Sequence, residues 1–325
     1  MRMLGLLVAL VVYLAGAAAE AAVGDVRLLV VRLTSGPAVP SAADIQSEVA
    51  EADAFFRRSS LGRASLRADV TPVVEGFVVP QGCFAGGNED AGLGAVSLAA
   101  RAAATRLGYD LGVYDRFVYV FPDAVCGRGG LGAGRDVLLA GPEGVSALGL
   151  VHELGHTFRL PHAGSASCAT CAVREYGDRV SVMGQGSVDF SAWEKAQLGW
   201  IDRVRRVATS GVYPLDPVDA PSTGPQALLV RVAAGTLWIE RRLMPAPRIE
   251  VRIVKRARGG GATRTVFLAS GRSAATVQGV LRVRFTATGV TLTRLHEVSA
   301  APRGPRAPGR RDRAPRPLWP GARAR

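Results

Sequence analysis

The sequence of 325 residues is poor in several features that mark special classes of protein. It has only 4 cysteines and 4 histidines, no internal repeat, and no apolar run after its first 19 residues that is long enough to cross a bilayer. Lysine is almost absent, since Lys195 and Lys255 are the only two. With 48% hydrophobic and 21% charged residues, the composition is that of a globular protein and excludes collagen-like, coiled-coil and wholly disordered chains.

The net charge of +13 is concentrated at the end of the chain. Residues 301–325 are dominated by Arg, Pro, Gly and Ala, and we expect this tail to be disordered because it has nothing with which to form a core. More than half of the net charge lies there, so we expect no specific nucleic-acid partner. A weak contact between the tail and acidic polymers is an alternative to a purely solvated tail.

The first residues have the order of a secretory signal peptide. Arg2 precedes an apolar run from Met3 to Ala15, and small residues follow up to Ala19. We therefore predict a signal peptide over residues 1–19, with cleavage after Ala19 or, alternatively, after Ala21, and a secreted protein, with the cell surface or wall as variants of that location. An uncleaved membrane anchor is the alternative, and no other membrane span is expected.

Export permits disulfide bonds, and the four cysteines can pair in three ways. We favour Cys83–Cys126 together with Cys168–Cys171. A zinc site built from all four cysteines is disfavoured, because they do not form two paired Cys-x-x-Cys units.

The hydrophobic pattern changes near residue 202. Before it, strands alternate with helices, which predicts an α+β domain with a mixed sheet. After it, apolar residues alternate with polar or charged ones, as in strands with one face in water, and this predicts a small all-β sandwich-like domain. The domains would be 20–202 and 203–300. Strands are predicted over 26–33, 64–74, 117–121, 136–140, 228–232, 249–253 and 281–285, helices from Ser41 and over 91–107, and a turn at 287–289.

Three of the four histidines fall within residues 152–162, and His296 is the fourth. A helix predicted to begin at Pro142 would place His152 and His156 one turn apart on the same side, with Glu153 beside them. Two such imidazoles can share one Zn²⁺, and the carboxylate can accept a proton from a water that the zinc has acidified. The sequence therefore predicts a zinc site with Glu153 as general base.

His162 can join the same metal only if the helix ends first. A continued helix would carry it about 15 Å from His152. Pro161 favours a departure, because the residue before a proline avoids helical geometry. Glu175 and Asp178 are the alternative third ligands.

The stretch from His152 to His162 resembles the metzincin zinc endopeptidases, whose pattern is HExxHxxGxxH followed by a methionine turn. The resemblance implies that His152, His156 and His162 hold the zinc, that Glu153 is the base, and that Met183 forms a hydrophobic floor beneath the metal. The family's glycine is Arg159 here, so this residue would have to adopt a left-handed conformation. The segments 175–184 and 192–200 are similar to the gametolysin-like family.

The same resemblance implies further features. The catalytic domain would have a mixed twisted sheet with active-site and backing helices, and the glycine-rich segment 129–134 would be an edge strand that aligns substrate. It lacks the Lys-Ser/Thr pair of a phosphate-binding loop. In such a family Tyr176 can also approach the site.

Together these observations predict a secreted zinc endopeptidase that acts on a protein or glycoprotein substrate. A catalytically impaired binding or adhesion protein of the same fold is the alternative, and Arg159 favours it. A zinc hydrolase with a non-peptide substrate is a third.

Overall fold

The computed structural model describes residues 22–36, 39–78, 89–123, 129–256, 263–286 and 289–295. The helices in these ranges are α1 (Ala42–Ser59), α2 (Glu89–Arg106), α3 (Gly141–Gly144), α4 (Ala147–Thr157) and α5 (Ala192–Gln197), with a 3-10 turn at Leu111–Val113. The strands are β1 (Gly24–Leu33), β2 (Ala64–Val74), β3 (Arg116–Phe121), β4 (Gly130–Ala133), β5 (Asp136–Ala140), β6 (Ala163–Ser165), β7 (Val204–Val207), β8 (Gly211–Pro214), β9 (Ala227–Val232), β10 (Gly235–Arg242), β11 (Arg248–Arg256), β12 (Thr263–Gly271), β13 (Ala274–Val277), β14 (Leu281–Phe285) and β15 (Gly289–Arg294).

The first sheet has the strand order β2-β1-β3-β5-β4. Its pairs are parallel except for β4, which runs antiparallel to β5 and forms one edge. Strand β1 is buried on both faces: Leu28 and Val30 pack with residues of α1 and α4, whereas Leu29 and Val31 pack with residues of α2. The continuous apolar run of β1 is typical of such a doubly covered strand. The predicted mixed sheet with helices on it is confirmed.

Helix α1 begins where the sequence predicts. The hydroxyl of Ser41 accepts from the backbone of Asp44, and Asp44 reciprocates as a capping box. The helix predicted from Pro142 through the histidines is wrong in one respect. It is broken into α3 and α4, and Ser146 provides a new N-cap by accepting from the N–H of Gly149 at 3.1 Å.

Two further sheets consist of strands that follow residue 202, apart from β6. One has the order β6-β12-β11-β10-β9-β7 and the other β13-β14-β15-β8. Their facing apolar side chains form one core, with Leu228, Ile239 and Val251 from the first and Val283 and Leu292 from the second. The three strands predicted by alternation are therefore present.

A separate β domain from residue 203 is not confirmed. Strand β6 precedes that boundary and pairs in parallel with β12, and the chain through Leu295 forms one compact unit. The boundary at 202 stays a prediction. The tail, His296 and residues 287–288 of the predicted turn lie outside the described residues.

In the part of the chain that the structure describes, no helix combines the length and apolar character needed to span a membrane. The predicted signal peptide, residues 1–19, lies outside that part.

Candidate metal centre

Helix α4 carries the first two histidines and the glutamate. Its apolar residues Leu150, Val151 and Leu154 are buried in the core, and this burial fixes the rotation of the helix. His152 and His156, one turn apart, consequently lie together on a half-buried side with Glu153 next to them.

The chain leaves α4 through a Schellman motif. The N–H of Leu160 donates to the carbonyl of Gly155 at 3.0 Å, and that of Arg159 donates to the carbonyl of His156 at 2.8 Å. Arg159 has φ 65°, so it adopts the left-handed conformation at the position where the family pattern has glycine. This conformation is rare for a residue with a Cβ and costs about 1–2 kcal/mol. The predicted sharp turn before His162 is confirmed.

The turn brings the three imidazoles together. The Nε2 of His156 lies 3.2 Å from that of His152 and 3.0 Å from that of His162, and all three potential ligand atoms lie within 4.8 Å of one another. Of the alternative third ligands, Asp178 is fully buried in an ion pair with Arg252 and Glu175 contacts His162.

Each imidazole has an oxygen acceptor at its other nitrogen. The Nδ1 of His152 lies 2.7 Å from the carbonyl of Val182, that of His156 lies 2.8 Å from the carbonyl of Leu160, and that of His162 lies 3.2 Å from Oε1 of Glu175. If each Nδ1 donates to its oxygen, each Nε2 presents a lone pair toward the other two.

Burial favours the same protonation state. It lowers the pKa of His152, and it lowers that of His156 to about 4, with the charge of neighbouring His152 adding to the effect. Three neutral nitrogens that all accept cannot satisfy one another, whereas a divalent cation between them would bind all three. The donor set therefore fits a metal such as zinc.

Glu153 faces the edge strand β4. A Cβ on Gly130 would lie 2.4 Å from Oε1 of Glu153, and one on Gly132 would lie 2.1 Å from the backbone oxygen of Glu153. Only glycine allows the strand to pass this close to the helix. The predicted edge strand is present, and its glycines are explained by contact with α4 rather than by a phosphate.

Met183 is fully buried against α4. A Cβ on Gly155 would lie 2.4 Å from the Met183 sulfur, so the side chain packs on the helix between His152 and His156. The N–H of Ala163 donates to the carbonyl of Met183 at 2.8 Å. The methionine turn thus contacts both the helix that precedes the third histidine and the strand that follows it.

A buried charged cluster fixes this turn from the other side. Asp178 accepts from the N–H groups of Val180 and Ser181 and forms an ion pair with Arg252 at 2.7 Å. The Ser181 hydroxyl donates to Glu194 and accepts from the N–H of Met183. Around it lie five more fully or almost fully buried charged residues: Asp189, Lys195, Glu240, Arg242 and Glu250.

The charged face of β11 was expected to lie in water, and this expectation is wrong. Glu250 and Arg252 alternate with apolar residues, but they face the first part of the chain and are fully buried. Period-2 alternation shows that the two faces differ, but it cannot show that the charged face meets opposite charges from another segment.

Other residues near the histidines were only weakly indicated as site residues by the sequence, or were not indicated at all. The Tyr176 ring lies 3.9 Å from that of His162, and its φ of 56° is an uncommon left-handed conformation. A cavity of about 170 Å³ beside His156 and His162 includes Arg264 and Thr265 of β12. Only tertiary contact brings β12 here, so no local pattern could have indicated these two residues.

The Cys168–Cys171 disulfide is present, with a Cα–Cα distance of 5.1 Å. This half of the favoured pairing is confirmed. Cys83 and Cys126 lie outside the described residues.

Comparison with models of known families agrees with the motif. The model of the gametolysin peptidase family, M11, matches residues 42–249, more than half of the chain. No curated protein matches. A similar solved structure is that of wild-type OgpA from Akkermansia muciniphila, with 12% identity, 85% of this chain and 94% of that chain covered, and a TM-score of 0.33.

Proposed function

The chain belongs to the gametolysin peptidase family, and from that premise we propose that it is a secreted zinc endopeptidase that hydrolyses peptide bonds in a protein or glycoprotein substrate. Membership of this family supports the assignment of the chain as a metal-dependent hydrolase. The observation that carries the finer proposal is the convergence of three imidazole Nε2 atoms whose Nδ1 atoms each meet an oxygen acceptor.

We propose that His152, His156 and His162 hold one Zn²⁺. When bound, zinc would supply a Lewis acid that polarises a carbonyl and lowers the pKa of water to about 7. The acceptors at Nδ1 keep each ring in its ligand tautomer and orientation before the metal arrives. Met183 supports the helix from below, between the two histidines that α4 provides.

Glu153 is the proposed general base. Its carboxylate accepts a proton from the water that attacks the peptide carbonyl carbon, and it then donates that proton to the leaving nitrogen. Its neighbours support the role, because the close approach of β4 over Gly130 limits the positions open to the carboxylate.

Strand β4 is the proposed substrate-aligning edge. An edge strand has backbone N–H and C=O groups on one side that an extended peptide can pair with. Because β4 crosses α4 at Glu153, a peptide added to that edge would pass close to the base.

Secretion rests on residues 1–19, and the Cys168–Cys171 disulfide is compatible with it. Arg159 does not argue for a catalytically impaired protein, since it occupies the conformation that the turn requires. The tail 301–325 stays a candidate for weak contact with acidic polymers.

The purified mature protein tests the proposal. We expect about one zinc per chain by elemental mass spectrometry and chelator-sensitive cleavage of an unfolded protein substrate. Glu153→Gln should retain the metal and lose hydrolysis, whereas Glu75→Gln, an exposed carboxylate on another segment, should change neither. Zinc lost from the Glu153 variant, or undiminished turnover by it, would contradict the assigned roles.

A further inference from the structure

A second concave site lies on one face of the six-stranded sheet. It is a cavity of about 500 Å³. In the strand register, Arg206 of β7 lies opposite Leu229 of β9, and Leu229 lies opposite Trp238 of β10, so these side chains share a face. The cavity is also lined by Arg231, Val254 and Arg294. None of these residues lines the cavity beside the histidines.

The floor of this cavity is apolar and its rim is basic. Trp238 is only 8% exposed and lies with Leu229 and Val254 at the base, whereas Arg206 and Arg231 are exposed. A buried indole beside aliphatic side chains offers a flat apolar surface to a ligand.

The arginines at the rim have no counter-charge among the residues that the structure describes. Within the described ranges no acidic residue lines the cavity, and no ion pair includes Arg206, Arg231 or Arg294. The guanidinium of Arg294 donates to the backbone carbonyl of Arg231 at 2.9 Å, which brings it to the same rim. Three like charges around one cavity repel one another, and a bound anion would relieve that repulsion.

We propose that this cavity binds a small organic anion with a flat apolar body, whose carboxylate or sulfonate group contacts the arginines while its body lies on Trp238. A guanidinium matches such a group with two parallel hydrogen bonds. The volume falls in the range of small-molecule sites. The site does not depend on the proposed zinc chemistry.

A fluorescence titration of the full mature protein with 8-anilinonaphthalene-1-sulfonate tests the site, because this probe is a flat aromatic sulfonate. The double variant Arg206→Gln/Arg231→Gln should bind it about tenfold or more weakly. The double variant Arg282→Gln/Arg284→Gln is the matched control, since it removes the same charge from two exposed positions of β14. It should bind within about twofold of the parent. Thermal unfolding verifies that both variants are folded.

The neutral analogue N-phenyl-1-naphthylamine separates recognition of charge from apolar adsorption. We expect it to bind about tenfold or more weakly than the sulfonate. Equal affinity for the two probes, an equal loss in both double variants, or no saturable binding by the parent would each overturn the proposal.

Discussion

Replacement of Arg252 by methionine tests the link between the buried charged cluster and the metal centre. Arg252 is fully buried and pairs with Asp178 at 2.7 Å, Glu240 at 2.8 Å and Glu250 at 2.9 Å. Methionine keeps part of the apolar volume but no charge. In this variant Glu240 and Glu250 would keep Arg242 as an ion-pair partner. Among the described residues, no cation other than Arg252 pairs with Asp178.

The expected loss of stability is large, because the variant leaves a buried carboxylate without its cation. Removal of one partner of a buried ion pair costs about 3–5 kcal/mol. For a compact unit of this size, 1 kcal/mol corresponds to about 2–4 °C in Tm, so we expect Tm to fall by about 6–20 °C. The exposed Arg282→Met control should remain within about 0.5 kcal/mol.

The metal centre should also respond. Asp178 holds the N–H groups of Val180 and Ser181, just before Val182, whose carbonyl lies against Nδ1 of His152. Loss of an outer partner of a ligand typically weakens metal binding by about 10–100-fold, and we expect the lower end of that range since the effect is indirect. Competition with a zinc-binding chelator measures it.

A second substitution distinguishes this reasoning from simple loss of packing. Asp178→Asn should destabilise the parent, because it removes the charge that balances Arg252. In the Arg252→Met background the same change should stabilise, because it removes the unpaired charge. If Asp178→Asn has the same sign in both backgrounds, or if Arg252→Met leaves Tm and zinc affinity unchanged, the cluster does not act as described.

Further expectations concern the site and its supports. His162→Ala should lose zinc to a chelator far more readily than the parent, and equal retention would place the third ligand elsewhere. Arg159→Gly should relieve about 1–2 kcal/mol of strain but add up to about 1 kcal/mol of unfolded-state entropy, so zinc retention should hold or improve with little change in Tm. Gly132→Ala should lower Tm by the equivalent of about 1–3 kcal/mol and reduce turnover, because the new Cβ forces β4 away from α4. The control is Gly94→Ala, where a Cβ meets nothing within 4 Å. Burial raises the pKa of Glu194 from 4.5 to about 7. The folded state therefore keeps a proton that the unfolded state loses above about pH 4.5, and the stability that this proton contributes is lost as the pH rises from about 4.5 to about 7. Glu194→Gln cannot ionise, and its Tm relative to the parent should therefore rise between about pH 5 and pH 8; a constant difference would refute the buried-carboxyl argument.

Local signals in the sequence were sufficient to predict several elements along the chain. The capping box at Ser41, the doubly apolar run of β1 and the alternation in β9 and β14 each depend on interactions among near neighbours or on burial of a whole face. The break before α4 was missed because Pro142 and the apolar residues after it fit one helix equally well. The choice was made by Ser146, whose hydroxyl caps the second segment.

The histidine motif and its turn were determined by the sequence itself. Helical spacing puts His152, Glu153 and His156 together, and the Schellman turn at Arg159 needs only residues 155–160 to bring His162 back. What surrounds them was decided by the tertiary structure. The oxygens at Nδ1 of His152 and His162, the glycines of β4 over Glu153, and the arginines of β10 and β11 behind the methionine turn all come from segments outside the motif. Local spacing carries no information about which distant strand will present a matching charge, and a buried charge is tolerated only once that strand is in place.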